Sequence, residues 1–208
     1  MPDFQYLLLF LATALLVAVT PGPGIFYVAA RTLAGGRAEG LASSFGTGLG
    51  GLVHVAAGAI GVSALIMASA EAFTLLKLAG ALYLLWLGLK TWREASLSQP
   101  VKVITTGSRR AFREGILVEA LNPKTAAFFL AFIPQFVDPS ASIAQQFIMF
   151  GLLSVLLNTA VDVIVAYWVA KARAGLATRP SVVVRMRQAS GAFMCGLGAT
   201  LLFARRTA

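Results

Sequence analysis

Charge is scarce in this chain. Only 12% of its 208 residues are Asp, Glu, Lys or Arg, while 58% are hydrophobic. The mean hydropathy is +0.82, a balance that excludes an ordinary soluble domain and belongs to the membrane class. There is one cysteine, Cys195, so no intrachain disulfide and no cysteine metal cluster can form; it reads as a small packing residue of the last apolar segment. There is one histidine, His54, which rules out a histidine-rich metal site. No cofactor or resident metal is expected. Only Asp3 is charged before the first apolar run, so the basic start of a signal peptide is missing and that run reads as a retained span. No paired-carboxylate motif, Gly-x-Ser-x-Gly elbow or histidine metal motif is present, which argues against a membrane-embedded enzyme.

What is present is a series of membrane-length apolar segments. The sequence predicts an all-α polytopic membrane protein of about six transmembrane helices, at roughly 4–31, 41–68, 72–92, 111–136, 143–170 and 186–204. The chain reads as a single transporter domain, with a first repeat over about 1–92, a linker at about 93–110 and a second repeat over about 111–208. The linker is polar, with Ser96, Ser98, Pro100, Gly107 and Ser108. A shorter connection, Asp138-Pro139-Ser140, closes the fourth span and offers a cap for the fifth. The net charge of +9 would suggest nucleic acid in a soluble protein. Here 13 of the 17 basic residues lie in the connections after spans one, three and five, among them Arg31, Arg37, Lys102, Arg109, Arg110, Lys171 and Arg179. Lys77, Arg205 and Arg206 fall on the other side. Positive-inside bias therefore puts the three basic connections in the cytoplasm and both termini outside. The expected surroundings are membrane lipid and not nucleic acid; homo-oligomerisation is left open.

Spans one and four are each interrupted by proline. Thr20-Pro21-Gly22-Pro23-Gly24 breaks the first and Asn122-Pro123-Lys124 the fourth. Proline removes a backbone donor and clashes with the preceding turn. Hydrocarbon cannot satisfy the freed groups, so such breaks survive only where protein or a water-filled cavity covers them. Val19-Thr20-Pro21 aligns with Leu121-Asn122-Pro123, His54 and Gly58 with Asn158 and Asp162, and Gly80-Ala81 with Gly191-Ala192. Three spans per copy force the copies to insert in opposite orientation, a 3+3 inverted repeat, and matched breaks in two such halves point to a transporter's binding site. A new half-helix offers N–H groups and a positive dipole end to a carboxylate. The half-helix before it ends in carbonyls that suit ammonium, so the two breaks together suit a zwitterion. Gly22 and Gly24 permit backbone approach to a ligand.

The polar residues inside the spans are few. Gly46, Gly50, His54 and Gly58 share one face of the second span, where small residues allow close packing and turn His54 inward. His54 can line a path or serve as a hydrogen-bonded core histidine. Ser154, Asn158 and Asp162 share a face of the fifth span. A mid-span carboxylate marks a functional site by default, so Asp162 is a candidate to bind ammonium, carry a proton or pair with Lys124; a purely structural ion pair is the alternative. Glu119 and Lys124 flank the second break. Tyr83 and Trp86 could line the cavity or pack as aromatics, while Trp92 and Trp168 read as interfacial anchors.

With these motifs in hand, the chain resembles the LysE/RhtB amino-acid exporters along nearly its whole length. The resemblance rests on Thr20-Pro21-Gly22-Pro23-Gly24, Gly35-Gly36-Arg37-Ala38-Glu39-Gly40-Leu41, Gly80-Ala81-Leu82-Tyr83-Leu84 with Gly88, Leu121-Asn122-Pro123-Lys124, Phe128-Phe129 and Pro134-Gln135-Phe136-Val137. It implies a bacterial inner-membrane permease that exports amino acids, driven by the proton gradient. It also implies that the proline motifs and the Asp162 region are functional. Neutral substrates such as threonine, homoserine or leucine are favoured; basic amino acids, or a metal or other small ion, are the alternatives.

Overall fold

The computed structural model describes residues 4–68, 70–96, 104–176 and 180–203. Ser98, Pro100, Lys102, Arg179, Arg205 and Arg206, used above, lie outside the described residues. Helix dominates and no strand occurs among the described residues. The elements are α1 (Phe4–Val19), α2 (Pro23–Ala68), α3 (Ala70–Arg93), α4 (Ser108–Ala120), α5 (Pro123–Ala127), α6 (Ile143–Leu176) and α7 (Pro180–Phe203). The stretches Pro23–Gly61, Thr74–Arg93, Ser108–Phe136 and Ile143–Ala172 are long and apolar enough to cross a membrane, and Gln5–Val19 is a shorter apolar helix.

The first proline motif breaks the helix fully, separating α1 from α2. The expected connection between spans one and two shrinks to one residue. Gly36, at φ 72° and ψ −162°, is the non-helical point inside α2, and a residue with a Cβ would be strained there. The chain folds back so tightly that a Cβ on Gly40 would strike the Thr32 hydroxyl. The second span therefore starts near residue 37, not 41. The fourth is less regular than expected. After α5 comes a wide π turn, Phe128–Phe132, then a 3-10 turn, Ile133–Phe136. Pro134 supplies no N–H to the ladder there, and a π turn followed by a tight one absorbs the defect. Asp138 then closes the span. Its Oδ1 accepts from the Ser140 hydroxyl (2.7 Å) and N–H (2.8 Å), which holds its carboxyl below the ordinary range. The Gln146 side chain clasps the same turn through the Asp138 N–H and carbonyl.

The second and third spans pack against their counterparts in the second half, while α1 lies on α6. The stretch 37–68 lies antiparallel to α6: Gly48 faces Thr159, Gly51 faces Val155 and Gly58 faces Phe147. α3 and α7 are antiparallel too, with Gly88 on Gly191 and Ala81 on Gly198. Antiparallel pairing of matching helices is what inverted copies produce. Cys195 sits in the second seam, its Sγ 3.6 Å from the Leu85 carbonyl. Tyr83 and Trp86 stack on one another at 5.7 Å, are 38% and 54% exposed, and face away from the interior; the cavity-lining alternative for them is thereby removed. Trp92 and Trp168 are exposed as anchors would be.

Glycine sets the closest contact. The stretch 37–68 runs parallel to α4, and a Cβ on Gly46 or Gly50 would strike the carbonyl oxygens of Phe112 and Ile116. Small residues at this spacing bring the two backbones together. Gly46→Ala is expected to cost about 1–3 kcal/mol by overpacking. Gly196, with no neighbour within 4 Å of an added Cβ, should tolerate alanine without loss. Denaturant titration of the two variants in detergent checks the contrast.

Candidate functional site

The two breaks meet, and each is completed by side chains from the other half. α1 ends with the Thr20 N–H and hydroxyl on the Leu16 carbonyl (3.2 and 2.7 Å). The remaining carbonyls of Val17 and Thr20 accept from the Lys124 ammonium at 3.2 and 2.9 Å. Lys124 is 4% exposed, and a Cβ on Gly22 would lie 3.1 Å from its Cδ, Cε and Nζ. The glycine expected to admit a ligand thus admits this lysine. At the second break, His54 Nε2 lies 2.8 Å from the Glu119 carbonyl near the end of α4. A carbonyl oxygen only accepts, so Nε2 carries the hydrogen. His54 is therefore a helix cap, the core-histidine alternative of the sequence.

The second break is also capped from within. Asn122 Oδ1 accepts from the Lys124 N–H at 3.1 Å, the arrangement of an N-cap residue, and Pro123 fills the first helical position where no N–H is needed. Asn122 Nδ2 donates to Glu119 Oε2 at 2.8 Å, and the Thr125 hydroxyl donates to Oε1 at 2.6 Å. Glu119 is 2% exposed, and both its oxygens accept, as an ionised carboxylate would. A Cβ on Gly24 would stand 2.7 Å from Oε2. Pro23 opens α2 directly beside it, so the anion lies against the first turns of two half-helices.

Asp162 is fully buried on α6. The Thr47 hydroxyl lies 2.7 Å from Oδ2 and also 2.8 Å from the Ser44 carbonyl. The Thr47 hydroxyl is the donor to both, sharing its one hydrogen between the carbonyl of its own helix and Asp162. Oδ1 has no hydrogen-bond partner among the described residues. Thr47 was not singled out in the sequence; its place one residue from Gly46 on the inward face of its helix was the available signal.

These groups surround a small cavity of about 30 Å³, lined by Val17, Thr47, Glu119, Lys124, Thr125, Ser154, Asn158, Phe128 and Phe129 among others. Ser154 is turned back onto the Phe150 carbonyl at 2.9 Å. The space suits water and falls far short of the roughly 300–1,000 Å³ of a ligand pocket. Toward Asp138 the cavity ends in aromatic rings: Phe10 meets Phe136 edge-on at 5.3 Å and Phe150 at 4.5 Å, and Phe128 stacks on Phe132 at 5.5 Å. Toward Gly36 the chain is tied by ions instead. Buried Arg31 pairs with Glu114 and donates to the Tyr27 oxygen (3.1 Å) and the Ile104 carbonyl (3.2 Å). Glu39 lies 3.9 Å from Arg31 and accepts from the N–H groups of Thr106 and Gly107 at 3.0 and 2.8 Å. The charge reading took Arg31 as a topology signal only. Glu39 and Arg31 straddling Gly36 was the clue to this clasp.

A polar centre built on two broken helices is an arrangement for moving a solute, and comparison with known proteins agrees. Residues 15–205 match the family described as LysE type translocator. The chain belongs to that family. It is 32% identical to an uncharacterised membrane protein of Vibrio cholerae, over 98% of this chain and 99% of the relative. It is 31% identical to the homoserine/homoserine lactone efflux protein of Salmonella typhimurium, over 97% and 98%. The threonine efflux protein of Escherichia coli is 29% identical over 72% of this chain and 76% of its own. No solved structure matches.

The translocator's second break makes an unusual demand on its cap. In an isolated helix Asp caps about as well as Asn. Here Asn122→Asp would set a second carboxylate against Glu119, whereas Asn122→Ala loses the cap and one donor. Stability is expected to fall in the order Asn, Ala, Asp, with the alanine step about 1–2 kcal/mol; unfolding midpoints of the three proteins check the order.

Proposed function

We propose that this translocator is a secondary exporter of small neutral amino acids, homoserine and threonine among them, and that it works by alternating access in the bacterial inner membrane. The observation that carries the reading is the placing of buried Lys124 and Glu119 at the two helix breaks, beside a small cavity that both line. Carbonyls at one break and helix starts at the other are complementary to the two charges of an amino acid. The relatives named for homoserine and threonine efflux support the substrate class. Each oxygen of Glu119 already accepts from a neighbouring side chain, Asn122 or Thr125, which favours neutral substrates over basic ones. No group of three His, Cys, Asp or Glu side chains lies together among the described residues, so a metal-ion cargo has little support.

Positive-inside bias supports an orientation with the Arg31 clasp on the cytoplasmic side, the aromatic rings on the periplasmic side and both termini outside. Opening the clasp admits substrate from the cell; parting the aromatic rings releases it. Asp162 supplies the coupling proton. The centre holds two carboxyls and one ammonium, so a single proton makes it neutral; we assign that proton to Asp162, whose Oδ1 has no hydrogen-bond partner among the described residues, over Glu119, both of whose oxygens accept. Protonation from outside and release within would drive the return step. Asp162→Asn is therefore expected to insert normally yet lose more than about tenfold of the efflux driven by a pH gradient. The measurement is efflux from proteoliposomes loaded with mixed amino acids. Undiminished gradient-driven efflux by the variant would remove Asp162 from the mechanism.

A further inference from the structure

Lys124 points to how the empty carrier crosses the membrane. Its ammonium rests on two main-chain carbonyls at the break in span one: that of Thr20, and that of Val17, which also accepts from the Thr20 N–H at 3.2 Å. Its stem lies along the bare face of Gly22, and its head borders the central cavity. Those carbonyls ask only for N–H donors on a cation of this size. A primary ammonium on a small molecule is the same chemical group as the tip of a lysine. Left uncovered and away from water, the Thr20 carbonyl would cost about 1–3 kcal/mol, and Val17 would keep only the Thr20 N–H. Something must cover them in every closed form, loaded or empty.

We propose that the substrate's α-ammonium takes the place of the Lys124 ammonium on the Val17 and Thr20 carbonyls, and that Lys124 is a displaceable internal stand-in that lets the empty carrier close. This rests on the amino-acid reading above and deepens it. Displaced from the carbonyls, the lysine head remains beside the cavity it already borders, where it meets the substrate's carboxylate. In the loaded carrier the α-ammonium satisfies the break; in the empty carrier Lys124 does. The site thus selects for N–H on the cationic nitrogen, and net export, which needs an empty return, depends on Lys124 more than exchange does.

Two measurements on reconstituted protein test this. In the first, wild-type proteoliposomes are offered a transported amino acid, its N-methyl derivative and its N,N,N-trimethyl derivative. The first two are expected to move and the third, which has no N–H, to be excluded; movement of the trimethyl compound would overturn the proposal. In the second, Lys124→Ala is assayed for net efflux and for exchange of internal against external amino acid. Net efflux is expected to fall at least about tenfold further than exchange, and millimolar methylammonium, filling the vacated place, to restore part of it. Equal loss of both modes without rescue would make Lys124 an ordinary structural or substrate-binding group and overturn the proposal. If wild-type protein moves no amino acid at all, the functional reading fails as well, a result distinct from equal loss in the variant.

Discussion

Two helices stop partway across the fold, and the main-chain groups freed there must find partners inside the protein. That requirement organises the rest of the molecule. Water is absent from a bilayer core, so every open carbonyl or N–H has to be met by the chain itself. The solution is reciprocal: Lys124 beside the second break covers the end of α1, while His54 from the first half covers the end of α4. Each break takes caps from its own half and a side chain from the other. The glycines of the first motif follow from the same need, because the lysine stem and the Glu119 carboxylate occupy the space that their side chains would take.

Charge balance then fixes what the centre can be. An ammonium brought in to cover carbonyls calls for an anion nearby, and Glu119 lines the same cavity, its two oxygens held by donors from Asn122 and Thr125. A second carboxyl, Asp162, accepts from Thr47 through Oδ2, while Oδ1 has no hydrogen-bond partner among the described residues. Close packing holds this set in register. Gly46 and Gly50 bring the second span onto α4, so His54 reaches the Glu119 carbonyl without a bend in its helix.

Much of this was legible in the sequence, for identifiable reasons. Helix breaks announce themselves because proline acts on the backbone locally, so Pro21 and Pro123 located both interruptions. The small-residue face of the second span turned His54 inward as its spacing required. Burial of Asp162 followed from the cost of a carboxylate in hydrocarbon. What could not be read was partnership across the two halves. Whether Lys124 meets a carboxylate or a carbonyl depends on where α1 ends relative to α5, roughly a hundred residues apart in the chain. The π turn at Phe128–Phe132 was hidden because its residues are as apolar as their surroundings. The Arg31 clasp was masked by the positive-inside pattern, which accounts for the same residues without any partner.

The two closures of the cavity are made of different materials, and heat should act on them unequally. Stacked phenylalanines keep water out by apolar burial, which weakens on cooling. Arg31, Glu39 and Glu114 are held by charge and hydrogen bonds, and shedding the hydration of such groups becomes more costly in the cold and less so in the warm. Neither side has the other's temperature coefficient. The relative strength of the two ends therefore shifts with temperature, set by which chemistry each end uses rather than by anything at the polar centre.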